Sequence, residues 1–121
     1  MREENLFALM MVATIVLTRV SVWFVPNVDL MFAGRVWHHV WVGLLLLSLY
    51  LVVPLWKGAV AAVGLGLILD ELVFLALGGG NDPEYWSRTS RYGTVLVTLA
   101  CVRHRKWLLY RVFHRAVRYR F

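Results

Sequence analysis

Residues 58–77, GAVAAVGLGLILDELVFLAL, read as twenty apolar or small residues interrupted by one adjacent pair of acids, Asp70 and Glu71. As a helix this stretch rises about 30 Å, the thickness of a bilayer's hydrocarbon core. A soluble core helix of that length would show a polar residue every third or fourth place to face water. This one does not, so the fold class it implies is transmembrane, with two acids at lipid depth.

The flanking sequence follows the same pattern. Leu6 to Val25 and Val40 to Trp56 are further long apolar runs, the second with only Ser48 and Tyr50 as polar groups. The tryptophans Trp23, Trp37, Trp41, Trp56, Trp86 and Trp107 fall at or near the edges of these runs, where an indole prefers the headgroup level. A hydrophobic content of 60% and a mean hydropathy of +0.66 are too high for a water-soluble chain of 121 residues. Glu3 and Glu4 beside Arg2, with no small-x-small cleavage site downstream, make the first run an expected uncleaved anchor. The single Cys101 excludes an intrachain disulfide framework.

Pro26 and Asn27 are expected to end the first span, and a second begins around His38 and His39. Pro54, Lys57 and Gly58 allow only a tight turn, which makes the second and third helices antiparallel neighbours. The third breaks at Gly78, Gly79 and Gly80, and Asn81, Asp82 and Pro83 carry turn chemistry. Ser87 or Ser90 then caps a fourth helix. Its uncharged part, Tyr92 to Val102, is 11 residues, enough to span only if the basic cluster that follows snorkels or the membrane thins. The expected architecture is an all-α polytopic bundle over residues 1–102, of four spans with three as the alternative. A basic amphipathic tail, 103–121, is expected to lie on the membrane surface.

That tail holds seven of the 13 Lys and Arg residues and no acid. Interleaved with Leu, Val and Phe, its Arg103, Arg105, Lys106, Arg111, Arg115 and Arg118 suit anionic lipid headgroups better than nucleic acid. The positive-inside rule puts it in the cytoplasm. With four spans the amino terminus is cytoplasmic too, and the loops around His38 and Glu84 share the outer side.

An ionised carboxylate in hydrocarbon costs at least ~2.5 kcal/mol, so Asp70 and Glu71 demand partners. Gly58, Ala62, Gly66 and Asp70 recur every four residues, a small-residue stripe that turns Asp70 toward a close-packed helix. At about 1.5 Å of rise per residue, Arg19 and Asp70 lie roughly 20 and 18 Å into parallel spans. His38 and His39 enter from the same side, at most one of them pointing inward because neighbours on a helix diverge by about 100°, and Asp82, Glu84, Tyr85 and Arg88 cover that side. His38, His39, Asp70, Glu71 and Glu84 include the ligand types of a divalent metal such as Zn, Mn or Fe. The same groups suit proton transfer by Glu71 with a histidine and Arg19, or a structural Arg19–Asp70 salt bridge that fixes helix register. There is no P-loop, G-x-S-x-G, H-E-x-x-H or C-x-x-C, and Gly64 and Gly66 lie inside an apolar helix, where they are not a dinucleotide fingerprint.

The ordered patterns His38, His39, Gly43 (HHxxxG), Gly64 to Glu71 (GxGLxLDE) and Tyr85, Trp86, Ser87 (YWS) resemble a group of small prokaryotic integral membrane proteins. The likeness covers about residues 36 to 92. It implies a longer fourth helix and carries no catalytic roles. The functional expectation is a buried carboxylate and histidine site that binds or conducts a proton or metal ion, in a homo-oligomer or a subunit of a membrane complex. A metal-dependent membrane enzyme acting on lipid, with Glu71 as general base, and an accessory subunit without a site of its own are the alternatives.

Overall fold

The computed structural model describes residues 1–25, 30–32, 35–53, 58–78 and 82–113. Its architecture is all-α, with helices α1 (Glu3–Phe24), α2 (His39–Val52), α3 (Gly58–Ala76), the single turn α4 (Asp82–Tyr85) and α5 (Arg88–Arg103). Between α1 and α2 the chain makes one short antiparallel pairing of β1 (Leu30–Phe32) with β2 (Arg35–Trp37), Met31 opposite Val36. Pro26, Asn27, Pro54, Lys57, Gly79, Gly80 and Asn81, all read as loop residues, lie outside the described residues.

Among the described residues two helices, α1 and α3, are long and apolar enough to cross a membrane. α2 is as apolar but stops at Val52, short of the expected Trp56. Val53 is extended (φ −110°, ψ 105°), as the residue before a proline must be, because the ring of Pro54 excludes the helical conformation there. α3 ends where Gly78 takes φ +76°, the left-handed stop that glycine adopts without strain. Of the two candidate caps for α5, Ser87 serves: its Oγ accepts the Ser90 N–H at 3.2 Å.

α3 is the central element, packed against α1 on one side, α2 on another and α5 on a third. Glycine makes two of these contacts possible. A Cβ on Gly66 would sit 2.8 Å from the Met11 carbonyl of α1, and one on Gly43 would sit 2.6 Å from the Gly64 carbonyl. The small-residue stripe is therefore used inside the chain, where Gly58, Ala62 and Gly66 are all buried.

Beyond a break at His104, a short helix α6 (Arg105–Trp107) widens into a π-type coil over Leu108–Phe113. Its apolar side does not all face outward. Leu109 and Phe113 enter the core with Phe7, Met11 and Tyr50, and the Tyr50 hydroxyl donates to the Phe113 carbonyl at 3.2 Å. Arg115 and Arg118 lie outside the described residues.

The Gly43–Gly64 contact leaves no room for a methyl group without moving backbone. Gly43→Ala should destabilise the protein by about 1–3 kcal/mol, read by equilibrium unfolding in detergent, while Ala59→Leu at an exposed position of α3 should be close to neutral.

Candidate functional site

Consecutive residues on a helix diverge by about 100°, so Asp70 and Glu71 cannot share one set of partners. The structure resolves the expected single cluster into two. Asp70, fully buried, faces α1: its Oδ1 accepts from Arg19 Nε at 2.6 Å, and its Oδ2 accepts from the Tyr85 hydroxyl at 2.5 Å. The same guanidinium donates through Nη2 to the Asp70 carbonyl (3.0 Å) and to Thr94 Oγ1 (3.1 Å), and through Nη1 to the Tyr85 carbonyl (3.2 Å).

Aromatic rings close over this ion pair. The Arg19 guanidinium carbon sits 4.0 Å from the centre of the Tyr85 ring, a cation–π arrangement, and Phe74 meets Tyr85 edge-on. Burial, together with the Asp70 carboxylate, pushes the Tyr85 phenol far above its ordinary range. It therefore remains a hydrogen-bond donor at every physiological pH. Four elements, α1, α3, α4 and α5, are joined through two charges.

Glu71 faces the start of α2. Its Oε2 accepts the Val40 N–H at 2.8 Å, one of the amides a helix leaves unpaired in its first turn. Its Oε1 lies 3.3 Å from His38 Nδ1 and 3.4 Å from His39 Nδ1. His38 Nδ1 is hydrogen-bonded to this oxygen and His39 Nδ1 stands within ion-pair distance of it without a hydrogen bond, so both rings turn toward Glu71, contrary to the expectation that at most one would point inward. The reason is backbone conformation: His38 is the N-cap residue, extended at φ −69° and ψ 150°, so the helical divergence of neighbours does not apply to it. Glu71 is buried while both imidazoles are about one-third exposed, which leaves this group open on one side.

Glu84 is exposed on α4. Among the described residues no group of three His, Cys, Asp or Glu side chains is disposed to hold a metal ion. Asp70 has both carboxylate oxygens committed to Arg19 and Tyr85, which separates it from the histidines as a ligand. At the other end of the bundle, Glu4 is buried with Lys106 Nζ at 4.0 Å and the Tyr110 hydroxyl donating at 3.4 Å. Arg105 Nε donates to Asn5 Oδ1 at 3.0 Å. These contacts fasten α6 to the start of α1 and leave Arg103, Lys106 and Arg111 exposed.

Thr94 as an Arg19 acceptor and the Val40 amide as a Glu71 donor were not singled out from sequence, and Tyr85, placed on that side, was not assigned to Asp70. The four-residue spacing of Ser90, Thr94 and Thr98 is the signal that could have found Thr94. Comparison with protein-family models, curated proteins and solved structures finds no match.

Removing only the phenolic oxygen strands one oxygen of a buried carboxylate. Tyr85→Phe should cost about 1.5–3 kcal/mol of stability, the range for a hydrogen bond to a charged group, with helix content by circular dichroism unchanged.

Proposed function

We propose that this chain is a multi-pass protein of a prokaryotic cytoplasmic membrane in which Glu71, His38 and His39 form a one-sided proton-binding group. In this reading α1, α2, α3 and α5 are the four spans. The distribution of polarity supports it: Asp70, Glu71, Ser90 and Thr94 are buried while Leu17, Trp23, Leu45 and Leu96 are exposed, the reverse of a water-soluble domain. Arg88, Arg91 and Arg103 sit at the ends of α5, where long side chains snorkel to the headgroups. The exposed Arg103, Lys106 and Arg111 meet anionic lipid on the cytoplasmic side, which places the histidines at the outer face.

The observation that carries the proposal is the convergence of two imidazole Nδ1 atoms on one carboxylate oxygen. Imidazole is the side chain whose charge changes near neutral pH, and Glu71 offers either ring an ion pair once it is protonated. A proton taken by one ring changes the field at the other, since both face one carboxylate oxygen. Beneath Glu71 the α2–α3 contact is closed at backbone distance by Gly43, Gly64, Leu47 and Ile68. That closure favours binding from one side over passage across the membrane. Asp70, saturated by Arg19 and Tyr85, holds the bundle together and leaves the titration to its neighbour.

Histidine 15N spectra of the protein in bilayers, recorded from about pH 5 to 8, test this. The His39 curve should move when His38 is replaced by Gln and move again when Glu71 is replaced by Gln. A His39 curve unmoved by either replacement would overturn the proposal.

A further inference from the structure

Three aliphatic hydroxyls in α1 and α2 are satisfied locally. Thr14, Ser21 and Ser48 each donate to the carbonyl four residues back, those of Met10, Leu17 and Leu44, at 2.8 Å, the usual solution for Ser and Thr in an apolar helix. α5 departs from this. Ser90 Oγ and Thr98 Oγ1 are both buried without a hydrogen-bond partner, and Ser90 as a whole is fully buried. Thr94, midway between them, accepts from Arg19 Nη2.

Residues 90, 94 and 98 share one face of α5, the face that meets Arg19. Groups four apart on a helix have Cβ atoms about 5–6 Å from one another. That is too far for one hydroxyl to bond the next. It is the span covered by a single water hydrogen-bonded at about 2.8 Å to each. A buried hydroxyl left without a partner costs about as much as a lost hydrogen bond, and water is the common remedy where several polar groups converge. Arg19 supplies a third group: its four donated hydrogen bonds use four of the five N–H donors a guanidinium carries.

We propose that Ser90, Thr94 and Thr98 hold two internal water molecules, one bridging Ser90 to Thr94 and the other bridging Thr94 to Thr98. The water between Ser90 and Thr94 accepts the remaining Arg19 N–H, which is on Nη1. This hydrated file extends over about 12 Å of α5 and continues the polar interior inward from the ion pair. It also accounts for the four-residue recurrence of Ser90, Thr94 and Thr98 in α5, a helix whose Val95, Leu96 and Leu99 are exposed. The inference is independent of proton binding at Glu71, which lies on the α2 side of α3.

Water-edited solid-state NMR of the full chain in lipid bilayers reads these sites directly. Magnetisation should pass from water to the Ser90 and Thr98 side chains within the times seen for exposed residues. Thr98→Val should abolish the transfer at position 98 and lower the melting temperature, because it removes a water's partner. No transfer at either side chain would overturn the proposal, as would a higher melting temperature for Thr98→Val, the outcome for a dry, unsatisfied hydroxyl replaced by an isosteric methyl. If the variant does not fold, the unmodified protein's transfer at Ser90 and Thr98 decides alone.

Discussion

A guanidinium and a carboxylate sunk among helices are each expensive to desolvate, and the expense is offset only when they meet with good geometry and their remaining donors and acceptors are filled. Arg19 and Asp70 meet at 2.6 Å with Tyr85 and Thr94 filling further valences. Because the two charges stand far along α1 and α3, their meeting fixes the relative height of those helices. α4 must then fold back so that the Tyr85 hydroxyl and carbonyl both reach the pair, and α5 must present Thr94. The glycine at 66 belongs to the same constraint, since it lets α1 come close enough for a side chain to bridge the gap.

The adjacent acids divide two tasks by direction alone. Asp70 turns toward α1 and is closed by fixed donors. Glu71 turns toward α2, where it fills the role of an N-cap that the His38 side chain does not supply, and keeps one oxygen for two titratable rings. A carboxylate at a helix amino terminus is favoured by the helix dipole as well. That shared duty makes one carboxylate both the anchor of the α2 amino terminus and the neighbour of two imidazoles.

Much of this was legible in the sequence because an acid inside a long apolar run is so restrictive. Residues 58–77 announce a helix, and Asp70 within it demands a cation, for which Arg19 at matching height is the candidate inside the first apolar run. The four-residue recurrence of Gly58, Ala62 and Gly66 shows which face another helix approaches. What was not legible depends on backbone detail or on distant folding. The convergence of both histidines follows from the extended N-cap conformation of His38, which no periodicity reports. The shortened α2 follows from the proline rule, but Trp56 masked it by looking like an interfacial anchor. The packing of Leu109 and Phe113 follows from the turn at His104, whereas their spacing alone suits a helix lying in the headgroup layer equally well.

The double-mutant cycle on Arg19→Leu and Asp70→Leu, followed by equilibrium unfolding in detergent, probes the central constraint most directly. Each single change strands a buried charge and should cost about 3–5 kcal/mol. The double variant, with neither charge left, should be more stable than the worse single variant. Losses that simply add would mean that the two residues do not act as a pair, and the organisation of the bundle around them would be wrong.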